Sequence, residues 1–416
     1  MLSSPSPPEG AVPAAASPLL RAAARLVAKD GFAGLTLRPL AAELGLSVSS
    51  LTSRYGSREN IIARVLAEAA AEDRHNLGAW AQMRDRIPTG QGLAIADVAE
   101  MMLDHAAADR RDLSVLFLEC VQAGGWDSQV RSALSEWRDV RADAWNGLAR
   151  HAGLPEVVVR SGLIEGYFID EFAYSVALAD IPAYRALRRL CLRRLFANLL
   201  PDRDPRLDDG ALGDVLYELL AEDVTAPGVV HGVALPQDWR LDAAKCCAIQ
   251  LTQQGVSAVT HRSVAALAGL RPTTLAYRYP TQEDLVIAGL EYIITRLLTS
   301  VADVEASGSG DLVPADPMEG LDVGRATFAV AVAAIRIPRL APCAADMRRR
   351  RGINLLRLLQ SRSQDYARMD RLSAQTLAVG VIGSALLIPI SESSGPANES
   401  RIEASRRWML DAAQPV

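Results

Sequence analysis

Aromatic residues are scarce, at 5% of the 416 residues, although half of the chain is hydrophobic. Ala and Leu supply most of that hydrophobicity, a composition that favours helix. No run of about 18 uninterrupted apolar residues occurs, which excludes a simple membrane span. The most apolar stretch, Leu377 to Ile390, is short and interrupted by Gly380 and Gly383, so it is expected to be a buried helix. Cysteines number five (Cys120, Cys191, Cys246, Cys247 and Cys343), an odd count without a Cys-x-x-Cys pair. That argues against a disulfide framework or a zinc site and leaves buried thiols as the expectation. The five histidines, His75, His105, His151, His231 and His261, are scattered without ligand spacing. Gly-x-Ser-x-Gly and phosphate-loop patterns are absent, so the sequence offers no catalytic constellation and no cofactor. Strand-like alternation is unconvincing throughout. Positive charge in excess is also missing, since the net charge is −5.

That charge is unevenly spread. Between Leu19 and Asn60, Arg21, Arg25, Lys29, Arg38, Arg54 and Arg58 outnumber Asp30, Glu43 and Glu59. Between Arg240 and Asp284, Arg240, Lys245, Arg262, Arg271 and Arg278 outnumber Asp242, Glu283 and Asp284. Local excess, not the whole-chain value, governs attraction to phosphate. The same two stretches carry an internal repeat. Gly31, Thr36, Arg38, Ala41-Ala42, Gly45-Leu46, Leu51, Arg54-Tyr55 and Glu59 recur as Gly255, Thr260, Arg262, Ala265-Ala266, Gly269-Leu270, Leu275, Arg278-Tyr279 and Glu283. The offset is 224 at every pair, as for Gly31 to Gly255 and Tyr55 to Tyr279. A gap-free repeat of this kind constrains the fold before any other pattern does.

Local signals give each copy the same outline. Leu19, Leu20, Ala23, Leu26 and Val27 recur at helical spacing, and Gly31 suits the left-handed residue that closes a helix. Thr36 is placed to cap a second helix with Leu37, Leu40, Ala41 and Leu44 on its inner face. Gly45 permits the tight turn, Ser47 or Ser49 caps a third helix, and Ser57 opens a long fourth one. From about Leu93 to Leu200 the breaks predict a bundle of roughly five helices. Pro201 to Pro205 and Pro227 to Pro236 bracket an amphipathic stretch, Leu212 to Leu220, placed in a linker. Ala306 to Pro317 is rich in Gly, Ser and Pro and is expected to be a loop. Arg348 to Arg351 is expected to form a solvated helix face, with a second nucleic-acid patch as the alternative.

The motif Gly-x4-Thr-x-Arg-x2-Ala-Ala-x2-Gly-Leu, then a short helix ending Leu-x2-Arg-Tyr-x3-Glu, resembles the DNA-binding domain of the TetR family of transcriptional regulators. Both copies carry it. The resemblance implies an all-α chain with two tandem helix-turn-helix domains, each followed by a helical-bundle regulatory domain. The expected division is a disordered tail (1–17), a first helix-turn-helix (18–66), a first ligand-binding and dimerisation-type bundle (67–200), a linker (201–238), a second helix-turn-helix (239–290) and a second bundle (291–416). The Met1 to Ser17 tail lacks the charged start and apolar centre of a signal peptide.

A recognition helix enters a major groove about 12 Å wide, so its outer face must be slim and polar. In the first copy Ser47, Ser49, Ser50, Thr52 and Ser53 provide that face, with Leu46, Val48 and Leu51 expected inward. In the second, Arg271, Thr273, Thr274 and Tyr277 do so, with Leu270, Pro272 and Leu275 inward. Arg271 reads a guanine edge or clamps a phosphate. Thr36 and Thr260 are helix caps or phosphate contacts, with Arg38 and Arg262 beside them. Arg54 and Arg278, and Arg58 at the opening of the fourth helix, complete the expected contact set. The second copy departs from the family: Ala276 replaces an aromatic residue (as Thr52 does in the first), Gln282 replaces a cation, and His261 replaces an apolar contact.

The resemblance therefore implies a cytoplasmic repressor acting as an intrachain pseudo-dimer on a double-stranded DNA operator and released by a small apolar effector. Phe117, Trp126, Trp137, Trp145, Tyr167 and Phe168 either line the effector pocket or pack the core. The rival reading is a sensor or interaction scaffold whose DNA-binding modules are inactive. Dimerisation of the whole chain is left open.

Overall fold

The computed structural model describes residues 16–197, 209–222, 236–307, 323–360 and 369–387, and these form helices without a strand among them. The helices are α1 Pro18–Asp30, α2 Leu37–Glu43, α3 Val48–Tyr55, α4 Arg58–Arg84, α5 Gly92–Ala108, α6 Arg111–Ala123, α7 Ser128–Ala152, α8 Glu156–Arg160, α9 Leu163–Ala177, α10 Pro182–Phe196 and α11 Gly210–Glu222. Beyond them lie α12 Trp239–Gln254, α13 His261–Ala268, α14 Pro272–Arg278, α15 Gln282–Ser307, α16 Val323–Ala334, α17 Ala341–Gln360 and α18 Arg371–Leu387.

Caps set many of the boundaries. Ser17, Ser57 and Asp127 each accept a backbone N–H with the side chain and start α1, α4 and α7. Gly31 ends α1 at φ 72°, ψ 177°, a positive-φ region closed to other residues, rather than in the left-handed helical well the sequence suggests. Between α5 and α10 the expected bundle contains one more element than the breaks indicate. Gly153 and Pro155 do end α7, but the single turn α8 fits between them and α9.

α1 packs on α6, α4 lies along α7, and α7 on α9. α9 then crosses α18 closely. Glycines permit this. A Cβ on Gly383 would fall 2.5 Å from the Gly166 carbonyl carbon and closer still to its oxygen. A Cβ on Gly166 would meet Ser384 Oγ at 2.5 Å and Gly380 O at 2.8 Å. The two glycines that break up the apolar stretch thus form part of the surface on which the N-terminal helices meet the C-terminal ones. Its burial is as expected, since Leu377, Val379, Leu386 and Leu387 are in the core.

The arginine run is not a solvated face. Arg348 is fully buried and Arg351 nearly so. α17 carries them against α9, where Arg348 pairs with Glu171 and Arg351 with Asp170. Arg351 also donates to Tyr174 Oη and Thr327 Oγ1, both at 2.9 Å. Tyr184 donates to the same Glu171 carboxylate, and Gln375 Nε2 to the Arg348 carbonyl. Only Arg349 and Arg350 remain half-buried, both paired with Asp346 on their own helix. Buried pairs like these contribute little net stability, but removing one partner strands the other.

Within the expected linker, α11 is a packed helix that buries Leu216, Tyr217 and Leu220 against α10, α17 and α18. The flanking 201–208 and 223–235, residues 1–15 of the expected tail, 308–317 of the expected loop and all of 388–416 lie outside the described residues. Ala306 and Ser307 belong to α15. The cysteines are free thiols, all buried except the half-buried Cys246.

Candidate nucleic-acid interface

The α1–α4 segment is built around Leu51, which is fully buried and ties α3 to the core. Gly45 turns the chain between α2 and α3 at φ 67°, and Leu46 N–H donates back to Ala41 O at 2.8 Å. Ser47 then caps α3, accepting Ser50 N–H at 3.1 Å, while the Ser49 and Ser50 hydroxyls lie 2.9 and 2.8 Å from Ser47 Oγ. Three hydroxyls are thereby gathered at the N-terminus of an exposed helix.

The outer face of α3 differs from the expected set at two positions. Val48, expected inward, is exposed, because the first residue after the cap points away from Leu51. Thr52, expected outward, is half-buried and turns its hydroxyl back to Val48 O and Ser49 O, both at 3.1 Å. Ser53 and Arg54 are exposed, and the Arg54 guanidinium lies 5.2 Å from the Tyr55 ring centre.

Thr36 takes the cap position of α2 in extended geometry, but its hydroxyl makes no capping bond. It is exposed beside exposed Arg38, at a helix N-terminus with unpaired N–H groups. Arg58 is half-buried, donates to Leu35 O at 3.2 Å, and so fastens α4 to the turn before α2. Arg38, Arg54 and Arg58 form no ion pair among the described residues.

Residues 255–282 repeat these bounds at the same offset: the 3-10 turn Phe32–Gly34 matches Val256–Ala258, and α2, α3 and α4 begin 224 residues before α13, α14 and α15. Gly255 and Gly269 reproduce the positive φ of Gly31 and Gly45. Leu275 is fully buried, as Leu51 is. Arg262, Arg271, Thr273, Thr274 and Arg278 are exposed, and Tyr277 stands out at 92% exposure. Pro272, expected inward, is exposed at the first turn of α14.

The chemistry around this frame is not the same. Thr260 does cap its helix, in a reciprocal capping box with Ser263, so its hydroxyl is engaged where that of Thr36 is not. His261 lies within 2.5 Å of Tyr279 O, replacing an apolar contact by a polar tie between α13 and the end of α14. Gln282 donates to Val256 O at 3.1 Å, keeping the fastening role of Arg58 without its charge.

Residues 19–65 match the family described as bacterial regulatory proteins, tetR family. The N-terminal domain is a TetR-family DNA-binding domain. It is the domain of DNA-binding transcription regulators. A search of curated proteins gives no match.

Behind this TetR-type domain the aromatic cluster is packed. Trp145 stacks on Phe168 at 3.9 Å, Phe117 meets Trp137 edge-on at 5.1 Å, and Tyr167 contacts Phe168 at 5.5 Å. Arg141 lies over the Phe117 ring at 4.1 Å. A cavity of only about 10 Å³ remains beside Phe117, Trp145 and Phe168, room for a single water. Trp126 is not part of the cluster: it is exposed and lines a separate recess with Gln122 and Phe328. Burial holds the Glu165 carboxyl beside that cavity up at about 7. Among the described residues no group of His, Cys, Asp and Glu has the arrangement of a metal site, and no helix is long and apolar enough to cross a membrane.

Proposed function

We propose that this chain is a ligand-responsive repressor whose two helix-turn-helix units, 18–66 and 239–290, act together as an intrachain pseudo-dimer on one operator. The supporting observation is the constant offset of 224 in element bounds and glycine φ values, which gives α14 the same frame as α3. The contact set would be Thr36, Arg38, Ser47, Ser49, Ser50, Ser53 and Arg54 in the first unit. In the second it would be Arg262, Arg271, Thr273, Thr274, Tyr277 and Arg278. Thr52, Arg58 and Thr260 are spent largely on internal bonds and hold the frame. The outward faces of the two units differ at nearly every position, so the operator would be asymmetric. Closed two-fold symmetry, which forces identical half-sites, does not bind a single chain.

An effector would act by opening the packed aromatic cluster; coupling of this kind is worth ~1–3 kcal/mol. The engaged Thr260 hydroxyl, Ala276 and Gln282 favour a second reading in which the second unit holds position and the first does the reading.

Selection of bound fragments from genomic DNA, then titration at several salt concentrations, tests the proposal. Salt-sensitive, sequence-selective binding is expected. Absence of it near physiological ionic strength would leave a sensor or scaffold. Ser49→Ala/Ser50→Ala is expected to weaken binding more than Thr273→Ala/Thr274→Ala; equal losses would rule out an unequal pair.

A further inference from the structure

The stretch between α16 and α17 touches both helix-turn-helix units. Arg336 pairs through Nη1 with Glu119 of α6. The other oxygen of that carboxylate accepts the Phe32 N–H at 3.0 Å, just beyond the glycine that closes α1. Arg336 also lies against Gly31, where a Cβ would stand 3.0 Å from Nη2. Three residues on, Arg339 reaches the other unit, pairing with Asp284 at 2.9 Å and Glu283 at 3.7 Å in the first turn of α15. The base of the stretch is held by Arg111 of α6, which donates to Ile335 O at 3.2 Å and Val176 O at 3.0 Å. A short 3-10 turn, Pro338–Leu340, with Leu340 fully buried, keeps it stiff.

Glu119 and Arg336 are mostly shielded from water and far apart in sequence, so their pairing is weakly screened by salt. α16 packs on α12 and the Val256–Ala258 turn as α6 packs on α1 and the Phe32–Gly34 turn, but it contains no acidic residue to match Glu119. Gly255, the counterpart of Gly31, instead packs on Gln122 and Trp126 from α6 and the turn after it.

We infer that residues 335–340 are a coupler that fixes the position of one helix-turn-helix unit relative to the other, with Arg336, Glu119 and Arg339 as its positioning residues. Arg336 holds the first unit through Glu119 and the Phe32 amide; Arg339 holds the second through Asp284. The consequence for DNA binding rests on the two-unit reading proposed above; the mechanical claim does not.

The test is a distance measurement on the full chain. Spin labels are placed at Ser53→Cys and Ala276→Cys, both exposed, in a Cys246→Ser background that removes the half-buried thiol. Double electron–electron resonance is expected to give one narrow distance for the parent. Arg336→Ala with Arg339→Ala should at least double its width, and Arg336→Lys should restore most of the narrowness. Glu119→Gln keeps an acceptor for Phe32 and loses the ion pair, so it provides a second route should the double variant fold poorly. Widths unchanged in folded Arg336→Ala/Arg339→Ala and in Glu119→Gln would overturn the coupler. DNA binding is read separately on the selected fragment, where Arg336→Ala is expected to lower affinity about tenfold and Arg336→Lys less than threefold. A protein that broadens as expected yet never binds DNA would keep the coupler and lose the two-unit reading. One that binds DNA with unchanged widths would do the reverse.

Discussion

Replacing Gly383 by alanine should open the crossing of α9 and α18. The new methyl would sit 2.5 Å from the Gly166 carbonyl carbon and 3.0 Å from its Cα, against 3.4–4 Å for ordinary contact. All of these neighbours are backbone, so no rotamer change relieves the clash. The helices must part by about 1 Å, a gap that already forfeits a quarter to a half of each dispersion contact across it. Overpacking of this kind costs about 1–3 kcal/mol. The lost packing adds to that, and better helix propensity returns up to about 1 kcal/mol. The net expectation is a loss of about 3 kcal/mol. Gly380→Ala on the same helix is the control. Its methyl meets the Leu163 side-chain tip first, at 2.6 Å, and that group can rotate away. The loss there should be about 1 kcal/mol or less. Urea unfolding monitored by circular dichroism measures both, provided the slope with urea is unchanged. If Gly383→Ala proved within 0.5 kcal/mol (about the error of such comparisons) of the parent, or milder than Gly380→Ala, the close crossing would not exist as described.

Other sites give three further outcomes. Asp73 is buried and accepts Trp137 Nε1 and Arg141 Nε, both at 2.6 Å; Asp73→Ala strands Arg141 and should cost about 3–5 kcal/mol in thermal unfolding, and a loss under about 1 would refute its role as counter-ion. Thr260→Ala breaks a capping box and should cost about 1 kcal/mol in the same assay, whereas Thr36→Ala should be close to neutral there and lower DNA affinity instead; equal effects on stability would contradict the difference in capping. Glu165 is raised by burial from 4.5 to about 7, so the folded state binds the extra proton between those values. Stability should therefore fall as pH rises through that window, by no more than about 3 kcal/mol, and Glu165→Gln should flatten the profile; a wild-type profile that rises or stays level there would count against the buried, protonated carboxyl.

Much of the first helix-turn-helix was legible because its determinants are local. Ser57 caps the helix it precedes, Gly31 and Gly45 take positive φ within their own turns, and Leu51 is spaced to point inward. The errors lie where the deciding partner is remote. Arg348 and Arg351 read as a solvated run because their counter-ions, Glu171 and Asp170, sit on another helix far back in the sequence. Gly380 and Gly383 looked only like interruptions of an apolar stretch; their use appears when Gly166 is laid against them. Periodicity placed Val48 and Pro272 inward, but residues at the first turn of a short helix lie beyond the neighbours that would cover them. Aromatic content announced a cluster without revealing whether it was hollow, since that depends on how closely rings such as Trp145 and Phe168 stack.

The bonds around the coupler bear on how a fused pair of reading units would respond to a signal. In a two-fold dimer every contact occurs twice, so both units loosen together. Among the described residues the Glu119–Arg336 pair occurs once, and α16 has no carboxylate to make its mirror image. Gly31 is therefore held beside an ion pair, while Gly255 is held by the Gln122 amide and the Trp126 indole. Substitutions at Glu119 act on the first unit, and those at Trp126 on the second. On the proposed reading, a disturbance that breaks the Glu119–Arg336 pair would release the first unit while Arg339 still holds the second through Asp284. An asymmetric operator would then lose one half-site before the other. Footprinting with Glu119→Gln should show protection retained over the α14 half-site and reduced over the α3 half-site. Uniform loss across both would mean that the two units are released together despite their different bonds.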